Sequence, residues 1–275
     1  MLLFYFVVGI CIGSFLNVVI FRMPIMLQRK WHKEGVDILN LPPDEYKKID
    51  QYPDLFNLFM PKSSCFNCNT PIKYIFNIPI LGYFLSHTRC WSCKKPIPIQ
   101  YPLVEILTGC LFLYIGYLHY DIYYTLSLMI FVSFVLVIIF IDAQTFYLPH
   151  ELTTPFALIG VLCNLRGMIS GGLLNSIIGG FIGYFSLWII NFIYNLITKK
   201  NGMGHGDFRF LSGILIWVGI SGFIPIVFIS SLLGISYFIV LYLLKKIKLS
   251  QAIPFGPFLG VASIIVLFSN KYFVL

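Results

Sequence analysis

Apolar runs recur along the chain, each closed by a polar or charged stretch. Eight are read at about 2–21, 103–119, 122–141, 152–168, 173–198, 208–220, 222–244 and 254–270. Most approach the roughly 17–25 residues that an α-helix needs to cross a bilayer. The sixth is the shortest and is rich in Gly and Ser. The one substantial polar segment is 22–102. This pattern predicts an all-α polytopic membrane protein with about eight transmembrane helices: a first helix at 1–21, a cytoplasmic loop at 22–102, and a seven-helix membrane core at 103–275.

Composition agrees with the pattern. Of 275 residues 58% are hydrophobic and 11% charged, with 27 Phe and 17 Tyr, and a soluble domain of this length could not bury so much apolar surface. A formal charge of +8 invites a nucleic-acid partner, but the basic residues sit in loops between apolar runs, which is how a membrane protein is oriented. If the 22–102 loop is cytoplasmic, so are the loops at 142–151, 199–207 and 245–253. Seventeen Lys and Arg then lie on the cytoplasmic side and only Arg166 and Lys271 on the other. Both termini are expected to face outward. The first run starts at once, with no basic leader and no A-x-A-like cleavage site before Arg22, and reads as a retained span. Gly9, Gly13 and Ser14 share one helical face, which predicts close packing on another helix.

Two carboxylates stand at edges of these runs. Asp142 ends the run before the 142–151 loop, and Asp207 closes Gly202-Met203-Gly204-His205-Gly206-Asp207. A carboxylate beside hydrocarbon is costly and marks a candidate site, although two helix-end residues reaching interfacial water are the plain alternative. Two nearby carboxylates resist ionising together, so one holds a proton and the other is a base. Such a pair activates water against an amide carbonyl and protonates the leaving nitrogen, with no metal or covalent intermediate. Gly204 and Gly206 would let a substrate backbone approach Asp207. No G-x-S-x-G elbow, H-E-x-x-H or P-loop offers a rival set. His150 and His205 are interfacial polar residues or proton relays.

In the long loop Cys65-Phe66-Asn67-Cys68 is followed, after 21 residues, by Cys90-Trp91-Ser92-Cys93. Two C-x-x-C turns can supply four thiolates to one tetrahedral zinc, a closed and therefore structural site. A redox pair and four incidental thiols are the alternatives. Cys11, Cys110 and Cys163 lie inside apolar runs and read as packing residues. The short apolar stretch 75–84 is a ribbon hairpin or a segment on the membrane surface. A stretch around 44–51 is expected to be partly helical. Glu105 lies one turn into the second run, either as a helix N-terminal carboxylate or as a site residue.

Taken together these residues resemble the type IV prepilin peptidases, membrane aspartic proteases of the G-x-G-D type. The likeness runs through Gly13-Ser14-Phe15-Leu16-Asn17, the two cysteine pairs, Asn77-Ile78-Pro79-Ile80, Tyr101-Pro102-Leu103-Val104-Glu105, Ile141-Asp142-Ala143, Gly202 to Phe208, and Ile253-Pro254-Phe255-Gly256-Pro257-Phe258. The resemblance implies a bifunctional enzyme of the bacterial inner membrane. It would cut the basic leader from prepilins and pseudopilins at the cytoplasmic face, with Asp142 and Asp207 as catalytic dyad. It would then methylate the new N-terminus from S-adenosylmethionine, with Glu105 as the candidate cofactor-binding residue. The implied partners are prepilin and pseudopilin substrates and membrane lipid, without nucleic acid. His150 stands after Leu148-Pro149 where the family commonly has Asp, and Ser86-His87-Thr88 replaces its Leu-Arg-Gly. Two other functions are weighed: a peptidase without transferase activity, and a cation transporter with the cysteine loop as a metal sensor.

Overall fold

The computed structural model describes residues 1–39, 53, 55–65, 67–118, 121–169, 172–200, 202–248 and 251–269. The expected helix around 44–51 lies outside them. The described secondary structure is helical apart from two isolated antiparallel bridges. Eight longer helices follow in order: α1 Leu2–Leu39, α2 Gln100–Tyr117, α3 Ile122–Thr145, α4 His150–Leu165, α5 Leu173–Thr198, α6 His205–Val218, α7 Phe223–Leu243 and α8 Gly256–Ser269. Each overlaps one of the apolar runs.

Four of these are long and apolar enough to cross a membrane: Leu2–Gly35, Ile122–Thr145, Leu173–Thr198 and Ile220–Leu243. The expectation of about eight spans is met only to that extent. At 16, 14 and 14 residues, α4, α6 and α8 reach only about 1.5 Å per residue, short of the full hydrocarbon thickness. α1 does not stop where its apolar run stops. It continues through Pro24, because a charge ends an apolar run without ending a helix. Arg22 is accommodated by donating to the carbonyls of Asn57 (2.8 Å) and Pro61 (2.6 Å), with its guanidinium 5.5 Å from the Phe56 ring centre.

The chain divides into two compact units, Met1–Leu118 and His119–Leu275. In the first, α2 packs on α1, whereas the sequence pattern grouped the helix from 103 with those that follow it. Small residues make this possible. A Cβ on Gly9 would lie 2.8 Å from Gly109 Cα, and one on Gly13 would lie 2.7 Å from Glu105 Cα. The face expected from Gly9, Gly13 and Ser14 is thus in backbone contact with its neighbour.

In the second unit α6 is the central helix, with Phe208, Phe210, Leu211, Ile214, Leu215, Trp217 and Val218 all buried. Trp217 stacks on Phe156 of α4 at 5.7 Å, and its indole N–H donates to the Phe156 carbonyl at 2.8 Å. The ring pair needs glycines opposite it. A Cβ on Gly160 would lie 2.7 Å from Trp217 Nε1, and one on Gly213 would lie 2.8 Å from the Phe156 ring. α5 and α7 turn large apolar side chains outward, among them Phe181, Ile197, Ile224, Phe228 and Leu243.

Candidate active site

Three helix ends of the second unit meet at the two aspartates. Asp142 lies in the last turn of α3, which closes on Phe146 in the left-handed region (φ 55°), its N–H bonded to the Asp142 carbonyl at 2.9 Å. A carboxylate is disfavoured at the negative end of its own helix. Here Asp142 is only 4% exposed, and its Oδ2 accepts the N–H of Gly256, the first residue of α8, at 3.0 Å. The positive end of α8 thus offsets the negative end of α3. A Cβ on Gly256 would come 2.6 Å from that same oxygen, so only glycine fits without moving the carboxylate.

Asp207 occupies the first turn of α6, after Gly204 as N-cap. Its carboxylate receives the Gly204 N–H and is an electrostatic neighbour of Asp142. Leu148 packs between the two segments. It lies 2.6 Å from where a Cβ on Gly206 would stand and 3.3 Å from one on Gly256. The structure therefore brings Asp142 and Asp207 together across 65 residues of sequence (207 − 142).

The two glycines beside Asp207 differ. Gly206 is closed off by Leu148, so its lack of a side chain serves packing. Gly204 is exposed and its open side meets only Asp207 Oδ2 at 3.7 Å and the Gly206 nitrogen at 4.0 Å, leaving room for an approaching backbone. His150 lies beside Glu151 (Nδ1 to Oε2 3.2 Å), and His205 stands edge-on to Phe208 with ring centres 5.3 Å apart.

Sequence reasoning assigned no role to three supporting residues: Gly256, Leu148 and Asn191. Asn191 accepts the N–H groups of Gly202 (3.0 Å) and Met203 (3.1 Å), which shapes the turn entering Asp207. A lone amide inside the apolar run Trp188-Ile189-Ile190-Asn191-Phe192 was the available signal.

In the first unit the four cysteines of the long loop converge. Their sulfurs all lie within 4.8 Å of one another, with Cys65–Cys93 at 3.8 Å and Cys68–Cys90 at 3.9 Å. A tetrahedron with metal–sulfur bonds of about 2.3 Å has edges of about 3.8 Å, so the cluster fits a closed four-thiolate zinc site. The knuckles share one geometry. Each is closed by a bridge, Ser64 with Pro71 and Arg89 with Pro96, and each turns through a left-handed residue four after its first cysteine, Asn69 (φ 54°) and Lys94 (φ 60°). Lys95 Nζ donates to Asn67 Oδ1 at 2.5 Å, and Lys73 lies 4.8 Å from the Trp91 ring centre, bracing one knuckle on the other. As free thiols they are unequal. The Thr70 hydroxyl, then its backbone N–H, draws Cys68 down to about 6, while burial pushes Cys65 up to about 11.

Glu105 is buried in α2 of the first unit, and the Asp pair belongs to the second. It does not cap its helix. Its Oε2 accepts the Ile80 N–H at 2.6 Å, and it receives a hydrogen bond from Ser14. The segment 75–84, read as hairpin or surface piece, is a 3₁₀ turn (Tyr74–Asn77) and a short helix (Leu81–Leu85) joined through Ile80.

Comparison with known proteins gives the same assignment along the chain. The Bacterial Peptidase A24 N-terminal domain matches residues 7–119, and the Type IV leader peptidase family matches residues 129–239. A prepilin leader peptidase/N-methyltransferase of Neisseria gonorrhoeae is 39% identical over 264 residues, covering 96% of this chain and 89% of that protein. The protein of the same name in Aeromonas hydrophila is 39% identical over 95% of this chain and 88% of its own length. That of Pseudomonas aeruginosa is 34% identical over 94% and 87%. No solved structure matches the chain.

Proposed function

This chain belongs to the type IV leader peptidase family, and we propose that it is an aspartic endopeptidase that removes the basic leader from prepilins and pseudopilins and then methylates the exposed N-terminus. The observation that carries the reading is the meeting of Asp142 and Asp207 at the ends of α3 and α6, one carboxylate held by the Gly256 N–H and the other by the Gly204 N–H.

The two carboxylates share one proton. The ionised member takes a proton from water as the water oxygen bonds to the scissile carbonyl carbon. The protonated member gives its proton to the carbonyl oxygen. As the tetrahedral species collapses, the C–N bond breaks, the leaving nitrogen takes a proton from the carboxyl that received it, and a hydroxyl of the tetrahedral carbon returns its proton to the other carboxylate as the C=O re-forms. Gly256, Leu148 and Asn191 hold the pair and its entering turn in register, which is the positioning such a site requires.

The same reading assigns the chain to the bacterial inner membrane with eight spans, the four shorter helices completing the set. The Lys and Arg distribution supports a cytoplasmic position for the Asp pair, where a basic leader would stay while the substrate's apolar helix remains in lipid. Cys65, Cys68, Cys90 and Cys93 would hold a zinc ion, which with four thiolates supplies structure and no open coordination position. S-adenosylmethionine, when bound, supplies an electrophilic methyl group, and Glu105 is the first candidate residue for its site.

The test is co-expression with a prepilin and mass measurement of its N-terminus, which reports leader loss and methyl gain in one spectrum. Asp142→Ala and Asp207→Ala are each expected to reduce cleavage on the order of 10³-fold or more while the protein remains membrane-inserted. Cleavage retained by either variant would end the dyad assignment. A trimmed but unmethylated N-terminus from the unaltered enzyme would leave a peptidase alone.

A further inference from the structure

The segment 74–85 is too short to cross a membrane, yet α1 and α2 hold it beside a span. Glu105 Oε2 takes the Ile80 N–H at 2.6 Å. The Glu105 backbone lies against Gly13 of α1, where an added Cβ would stand 2.7 Å from Glu105 Cα, and the Glu105 carboxylate also receives Ser14. Gly13 is eight residues short of Phe21, where the apolar run of α1 ends (21 − 13). At about 1.5 Å per residue that is about 12 Å, close to the hydrocarbon depth of one leaflet. Ile80 is therefore tethered, within the length of one side chain, at a level that lipid tails occupy around α1.

A backbone at that depth must satisfy its own polar groups. This one does: the N–H groups of Leu81, Gly82, Tyr83 and Phe84 go to the carbonyls of Pro79, Ile78 and Ile80 at 2.6–3.4 Å, and those of Ser86, His87 and Thr88 return to Gly82, Phe84 and Tyr83. Gly82 permits the fold-back, because a Cβ there would overlap the Phe76 carbonyl. The outer side chains are the reverse of what water favours. Ile75, Leu81, Phe84 and Leu85 are each more than half exposed, at 55, 58, 61 and 52%, and α2 beside them exposes Leu103, Ile106 and Leu107. Charge completes the surface. Between 61 and 99 the chain carries Lys62, Lys73, Arg89, Lys94 and Lys95 and no Asp or Glu, and the exposed Lys73 and Arg89 flank the segment at its two ends. An apolar wedge with a purely basic rim suits a leaflet bearing anionic headgroups, and the same charge repels a basic peptide.

We propose that 74–85 is a re-entrant wedge that seats Ile75, Leu81, Phe84 and Leu85 among the acyl chains of the leaflet at the Arg22 end of α1, with Lys73 and Arg89 on anionic headgroups. The wedge rests on α1 crossing the membrane and is independent of the peptidase and methyltransferase chemistry. It ties the unit that carries the cysteine knuckles to lipid.

The experiment uses the full-length protein in nanodiscs of equal phosphatidylcholine and phosphatidylglycerol, one or the other carrying a photoactivated diazirine on its acyl chain. After illumination and peptide mass mapping, label is expected on residues 74–85 as well as on α1. It is expected to be about five-fold heavier from phosphatidylglycerol, since each Lys or Arg near an anionic surface contributes about that factor. The ratio is expected to fall toward one in the Lys73→Gln, Arg89→Gln double variant, whose melting temperature reports its folding. Label on α1 with none on 74–85 would mean that protein or water covers this face, and it overturns the wedge. Equal labelling of the unaltered protein by both lipids overturns the anionic preference. Prepilin cleavage is read in the same discs: cleavage without label on 74–85 removes the wedge and leaves the proposed function standing, whereas label without cleavage does the reverse.

Discussion

At Gly256 one missing carbon decides where a carboxylate stands. The Gly256 N–H meets Asp142 Oδ2 at 3.0 Å while a Cβ would be 2.6 Å from that oxygen. Gly256→Ala therefore forces the carboxylate or the start of α8 to move. A displacement of about 1 Å in such a site costs about 10²-fold, so prepilin cleavage by purified enzyme is expected to slow by that order, with expression and melting temperature near normal. Undiminished cleavage would show that the Gly256 contact does not position Asp142. Gly204→Ala, whose new Cβ meets nothing closer than 3.7 Å, is expected to fold normally and to raise KM more than it lowers kcat, read from the same cleavage assay. The candidacy of Asp142 and Asp207 was legible without coordinates, because a carboxylate beside hydrocarbon is costly wherever it occurs. The closure of Gly206 by Leu148 was not, because it depends on a leucine 58 residues earlier in the chain (206 − 148).

The knuckle pair shows how far spacing alone can reach. Two C-x-x-C turns define which atoms are available, and the fold brings their sulfurs to 3.8–3.9 Å in pairs. One zinc per chain is the expected result of elemental analysis on purified protein, with loss in Cys90→Ser. Removal by a chelator is expected to raise protease sensitivity within residues 61–98, since structural zinc contributes folding free energy directly. The sign with pH follows from competition: thiolates bind metal and thiols do not, so retention falls as pH falls. A metal-free protein equally resistant to proteolysis would mean that the thiols need no ion. Among the helices, the apolar pattern located α1 to α8 but not the far end of α1. Hydropathy marks where side chains leave an apolar environment, whereas helix ends depend on backbone hydrogen bonding and on how a residue such as Arg22 is satisfied.

Across the whole molecule, the proposed eight spans and the basic-residue bias would make a single topology. Reporter fusions ending at residues 147, 203 and 247 are expected to report the cytoplasm, and those ending at 121 and 169 the outside. Fusions at 147 and 203 on opposite sides would separate Asp142 from Asp207 and end the proposed chemistry. What the amino-acid order determined by itself was helical class, membrane environment, orientation bias, the four-cysteine set and the two acids. Each follows from local composition or short spacing, whose energetic cost does not depend on distant partners. Tertiary structure alone decided that α2 packs on α1, that α8 delivers an N–H to Asp142, and that Glu105 holds Ile80. These arise from contacts between residues far apart in sequence, where a single missing Cβ or a single lone pair has meaning only once its neighbour is in place.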